Sequence, residues 1–146
     1  MFTTIGSRGG RHAASKIPII TASTVATDQT QAAGAAYGDL ATVGPTVTLD
    51  MQETVAIIWL SAKAYKTAVS NTCFISVAVS GASSVAASDA NAAAAASYVS
   101  TTYLPLSRVI VLTGLTPGIN IFTMKYHNDG GSTWHFQDRT IAVFAP

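Results

Sequence analysis

The chain has 146 residues, of which 49% are apolar and 10% charged, and its formal net charge is +1; soluble domains usually carry about 25% charged residues. That length suits one compact domain, and a sparse, balanced charge argues against a generic nucleic-acid or membrane-surface binder. The single cysteine, Cys73, cannot form an internal disulfide, which excludes the stapled scaffolds of small secreted proteins.

Polarity is supplied instead by 33 Ser and Thr, beside 25 Ala. The expected surface is small, neutral and hydroxyl-rich, and so thin an ionic coat suits a chain that lives against companions in an assembly. No apolar run reaches the ~18 residues of a membrane-spanning helix, so no membrane partner is expected.

Residues 1–43 read as an extended N-terminal arm. Its lead holds Arg8, Arg11, His12 and Lys16 with no acid before Asp28, and it lacks the apolar core of a secretory signal. Gly6-Ser7-Arg8-Gly9-Gly10 does not match a phosphate-cradling loop. A β-branched run from Ile17 to Val25 predicts one strand. So polar a lead buries too little to offset an ordering cost of about 1–2 kcal/mol per residue, so another chain is expected to hold it. Arg8, Arg11, His12, Lys16, Ile17 and Ile19 are the candidate contacts to a capsid or partner surface. So few cations give only weak, salt-sensitive nucleic-acid binding, and no specific nucleic acid is expected.

From Gly44-Pro45 the texture changes, and residues 44–146 read as an all-β domain, an antiparallel β-sandwich of jelly-roll-like type. Predicted strands run over 46–51, 54–62, 73–80, 107–113, 119–127, 133–136 and 139–144, each rich in Val, Ile, Thr or aromatics and separated by Gly, Pro, Asn or Asp. Phe122, Met124 and Tyr126 alternate with Ile121, Thr123 and Lys125, so one face of that ribbon is core. Ala86 to Ser97, with five consecutive Ala from Ala92, predicts a short Ala-rich helical insertion capped by Ser88 or Asp89. Leu115-Thr116-Pro117-Gly118 reads as a type II turn. Asn128-Asp129-Gly130-Gly131 reads as the turn of a hairpin that fixes the last strands' register.

The stretch from Tyr37-Gly38-Asp39-Leu40 to Thr48, the stretch from Leu112-Thr113-Gly114 through Pro117-Gly118-Ile119 to Tyr126, and Arg139-Thr140-Ile141-Ala142-Val143 together resemble a family of small virion structural proteins of tailed bacteriophages. Its members are called decoration or minor structural proteins. The resemblance spans roughly residues 37–143 and implies an eight-stranded jelly-roll-like sandwich, trimeric, similar to heads of the tumour-necrosis-factor type. It leaves the segment before Tyr37 uncovered.

Candidate chemistry is thin. His127, Asp129 and His135 flank the expected hairpin and have the residue types of a zinc or acid–base site, but no further ligand or nucleophile accompanies them and they read as hairpin-edge polar residues. Cys73 opens an apolar strand and reads as a small buried thiol. No catalytic residue, metal site or cofactor is expected, and no enzyme. The expected function is that of a capsid decoration, or cement, protein on the virion exterior: a homotrimer whose partners are its own copies and the major capsid protein or other virion subunits. The alternative is a tail or fibre adhesion module that binds a host receptor or glycan through Tyr65, Tyr98, Tyr103 and Trp134. Against that, Trp134 and Phe136 alternate with His135 in a way that completes a core.

Overall fold

Alternation of apolar with polar residues makes nearly every segment of this chain a strand. The computed structural model describes residues 18–68, 71–97 and 102–146. Its strands are β1 (Ile19–Val25), β2 (Gln29–Gln31), β3 (Thr46–Met51), β4 (Ala56–Lys66), β5 (Asn71–Gly81), β6 (Ala93–Ser97), β7 (Leu104–Leu112), β8 (Gly118–Asn128) and β9 (Trp134–Ala145). They form two antiparallel sheets, β1-β9-β4-β7, with β2 also on β9, and β3-β8-β5-β6.

The pairing is nested. β5 pairs with β6, β4 with β7, β3 with β8 and β1 with β9. This is one long antiparallel hairpin rolled up on itself, the topology of a jelly roll. The space between the sheets is filled by the inward rows: Ile58 and Leu60 from β4, Ile75 and Val77 from β5, Phe122 and Met124 from β8, Ile141 and Val143 from β9, all essentially without solvent contact.

Two connections differ from the sequence expectation. β8 and β9 belong to opposite sheets, so residues 128–131 are a crossing from one sheet to the other and not the turn of a paired hairpin. The cause is local. Asn128 is fully buried, and its amide donates to the carbonyls of Ala32 (3.1 Å) and Ser132 (2.7 Å) while its Oδ1 accepts from Asn71 (2.6 Å) and from the Gly130 amide (3.1 Å). The Pro117-Gly118 turn likewise carries the chain from β7 to β8, across the sandwich. Buried Asn120 ties it down, donating to Thr116 O (2.9 Å) and Gly118 O (3.1 Å) and accepting from the Ser83 amide (2.9 Å). Close by, Gly81 sits at φ +95°, with the Ile119 carbonyl where a side chain would begin.

The Ala-rich helical insertion is absent. Residues 89–91 form a single 3-10 turn, and Ala93–Ser97 is strand β6, paired with Ile75 to Asn71 of β5. Five alanines are too few to offset the cost of nucleating a helix, whereas in the strand they gain a ladder of backbone bonds and Ala93 adds to the core. Ser88 makes no side-chain cap.

Residues 18–43, read as part of the arm, carry β1 and β2, both laid on β9. A buried arginine fastens this segment. Arg139 is without solvent exposure; its guanidinium donates to Gln29 Oε1 (2.8 Å), Tyr126 Oη (3.2 Å), Gly44 O (3.4 Å) and Thr27 O (3.4 Å), and lies 5.4 Å over the Tyr126 ring. Neutral oxygens and a ring face thus replace solvent for this cation.

Phe136 packs from β9 against Tyr126, ring centres 4.9 Å apart, with no exposed surface. Phe136→Ala is expected to cost about 3–5 kcal/mol, read as a lower urea midpoint, whereas Thr48→Ala on an exposed face should stay within ~0.5 kcal/mol.

Candidate interaction surface

The two outer faces of the sandwich differ. On the β3-β8-β5-β6 sheet the chain roofs its own surface. His127 of β8 stacks on Phe74 and lies against Tyr37, with ring centres 4.9 Å apart in both pairs. Asp89 accepts from the Tyr37 hydroxyl (2.9 Å) and faces His127 Nδ1 at 3.3 Å, and burial with this acidic neighbour raises the Tyr37 pKa. The Ser76 hydroxyl is buried beneath the carbonyls of Ser88 (3.0 Å) and Asn91 (3.1 Å).

The β1-β9-β4-β7 sheet is bare where it is most apolar. Register aligns its outward residues in rows across four strands. The first row is Ile20, Phe144, Ile57 and Val111; the second is Ala22, Ala142, Trp59 and Val109; the third is Thr24, Thr140, Ser61 and Ser107. The third row closes with hydroxyl contacts: Thr24 to Thr140 at 2.9 Å, and the Trp59 indole donating to Ser107 at 3.0 Å. Trp59 is 58% exposed and Ile20 71%. Between them lies a shallow depression of about 260 Å3, lined by Ile20, Ile57, Trp59, Val109, Ala142 and Phe144.

Beyond the hydroxyl row the face turns polar. At Asp138 a positive φ of 49° interrupts β9, register with β4 shifts between Ser61 and Lys63, and Lys63 forms an exposed ion pair with Asp138 at 2.8 Å. Next come Tyr65, stacked on His135 at 4.2 Å and edge-on to Tyr103 at 4.9 Å. Asp28 joins this group, accepting from Tyr65 (3.1 Å) and lying 3.1 Å from His135 Nδ1.

The residues singled out by sequence scatter accordingly. Tyr65 and Tyr103 do meet on one face. Trp134 is fully buried, with Lys66 Nζ 5.7 Å from its ring centre, so it is a core residue and unavailable to a receptor. Ile19 opens β1 and is 46% exposed. Arg8, Arg11, His12, Lys16, Ile17 and Tyr98 lie outside the described residues. His127 and His135 stand on opposite outer faces, and Asp129 accepts from the Thr72 amide at 2.7 Å. Among the described residues no three His, Cys, Asp or Glu side chains gather as metal ligands would.

Sequence reasoning missed the bare face, although a signal was present. Ala56-Ile57-Ile58-Trp59-Leu60 and Val109-Ile110-Val111-Leu112 are unbroken apolar runs, the pattern of strands covered on both faces. That these two runs pair side by side, Ile57 with Val111 and Trp59 with Val109, is not legible from sequence.

No family model matches the sequence, and no curated protein matches it. The fold is shared with viral structures. The chain superposes on one from infectious bursal disease virus, Gx strain, with a TM-score of 0.62 at 14% identity, covering 89% of this chain and 33% of that one. The Gt strain gives 0.63 at 14% identity, covering 88% and 33%. Particles of T=1 type derived from that virus give 0.61 at 12% identity, covering 88% and 31%. The chain thus spans about a third of the length of the viral chains it matches, and what they share is the sandwich.

Burial pushes the Cys73 thiol from 9.0 up to about 12, and burial also takes the Tyr126 phenol from 10.0 up to about 12, against the opposing pull of Arg139. Each acid is held neutral in the fold and loses its proton more readily once unfolded, so these groups favour the native state below pH 9.0 and cease to as pH rises toward 12. Urea titrations across that window should show stability falling, and Cys73 should resist thiol reagents at pH ~8 until the chain is unfolded.

Proposed function

We propose that the protein is a structural subunit of a virion, most specifically a bacteriophage capsid decoration protein that assembles as a homotrimer on the outside of the shell and joins neighbouring capsid subunits. The observation that carries this reading is a jelly-roll sandwich in which the rows of Ile20 and Trp59 on one outer face are apolar, uncharged and solvent-facing, on a chain with only 10% charged residues. Exposed apolar area of this extent belongs against a protein surface. The resemblance of residues 37–143 to phage decoration proteins and the sandwich shared with chains of infectious bursal disease virus support a place in a particle.

The work is mechanical. Apolar area removed from water contributes roughly 25 cal/mol per Å2, and contacts repeated over a lattice would brace the shell against internal pressure. The reading involves no enzymatic step and no cofactor. A second reading, a tail or fibre adhesion module, draws on the exposed Tyr65–Tyr103 pair beside His135. That cluster is small, and its polar groups bind one another through Asp28.

Mass spectrometry and immunogold labelling of purified particles from a lysate encoding this chain should find the protein on the capsid, and particles lacking it should release genome at lower temperature. Absence from particles would refute the virion reading. Labelling confined to tail tips would favour adhesion.

A further inference from the structure

We propose that the bare outer face of the β1-β9-β4-β7 sheet is the surface through which copies of this chain meet, with Trp59 and Val109 at its centre. The proposal rests on the structural-subunit reading and adds to it the identity of the occupant.

Three observations converge on a second copy. The first is extent. With ~200 Å2 as the surface of a large side chain, the exposures of Ile20 (71%), Trp59 (58%), Val111 (58%), Val109 (55%) and Ile57 (37%) amount to on the order of 500 Å2. A standard interface takes about 800 Å2 from each partner, and Ala22, Thr24 and Ser107, also exposed, add to the face.

The second is charge. The three rows contain no ionisable side chain. When copies meet around a symmetry axis, residues at the axis approach their own counterparts, and a charge placed there would repel itself. A face with no charge meets its own copy without that cost, and offers a charged foreign partner nothing to pair with. Polar groups sit at the border instead: the Thr24–Thr140 and Trp59–Ser107 contacts, then the Lys63–Asp138 pair. This polar border lies along one side of the apolar rows, as the edge of a specific interface does.

The third is sequence pattern. β4 and β7 are apolar on both faces through residues 56–60 and 109–112, as strands covered on both sides are. The inner side is covered by the opposite sheet and the outer side by nothing in the chain's described residues, whereas the outer face of the other sheet is partly roofed by Tyr37 and Asp89, with Ile119 left exposed. Among the described residues nothing supplies that cover, and an uncharged apolar surface of a second copy fits it.

The test is sedimentation of the purified full chain over a concentration series, with Trp59→Asp, Val109→Glu and, as a control on the opposite face, Thr48→Glu. The wild type and Thr48→Glu should form one defined oligomer. Trp59→Asp and Val109→Glu should weaken association on the order of 30-fold or more, as central anchors do, with unchanged far-ultraviolet circular dichroism, since both side chains are solvent-facing in the monomer. An oligomer that survives both substitutions overturns the proposed interface and leaves the virion reading standing. A wild-type monomer at every concentration also overturns it. If instead the variants fall to monomers while the protein is missing from particles, the interface stands and the virion reading fails.

Discussion

The fold is closed by its last strand. β9 lies between β1 and β4 and also takes β2 along its length, so the five strands of that sheet become one surface only when residues 134–145 are in place. Ile20 meets Phe144 and Phe144 meets Ile57, joining residues more than a hundred positions apart with others near the middle of the chain. Most of the remaining pairing is nested inside this closure. The apolar rows on the outer face are a product of it: none of them exists in any local stretch of sequence.

Because the first and last described strands meet along β9, the polar groups trapped there have to be satisfied at long range. The two terminal nitrogens of Arg139 do so by reaching Gln29 and Thr27 on one side and Gly44 and the Tyr126 hydroxyl on the other, while its buried Nε has no partner. Asn128 and Asn120 do the same at the two crossings between sheets. A buried amide with all its hydrogen bonds made specifies one arrangement, since a shifted register would leave it unpaired in a dry interior. These three side chains fix which sheet each strand enters, a choice that hydrophobic alternation leaves open.

That division explains what the sequence revealed. β3 was legible at Thr46–Met51, and the inward triplet Phe122, Met124, Tyr126 was legible from period-2 alternation alone. β9 read as two runs because Asp138 interrupts the pattern, yet the strand continues through a positive-φ residue. β2, a Gln-Thr-Gln triplet, and β6, a run of Ala ending in Ser, have no strand propensity of their own and exist because β9 and β5 offer them a ladder. The hairpin expected at 128–131 failed for a related reason: turn chemistry specifies a reversal, and the buried Asn128 decides that the reversal leads into the other sheet. Of the candidate site, Tyr65 and Tyr103 were visible as aromatics, but the face centred on Trp59 required knowing which strands lie side by side.

The contrast between the two outer faces then connects composition with fold. A sandwich of this size has two sheets to cover on the outside, and a chain poor in Lys and Glu lacks the usual means of doing it. On one sheet it uses its own connections, laying Tyr37, Ser88, Asp89 and Asn91 over His127, Phe74 and Ser76. On the other it uses polar side chains only at one end, where Lys63, Asp138, Asp28 and His135 pair among themselves. Among the described residues the far end of that sheet receives neither loops nor charge, and its strands are apolar on both sides. Low charge is therefore not spread evenly over this molecule; it is concentrated in one flat, concave-centred face, where an ionic coat would obstruct contact with another subunit.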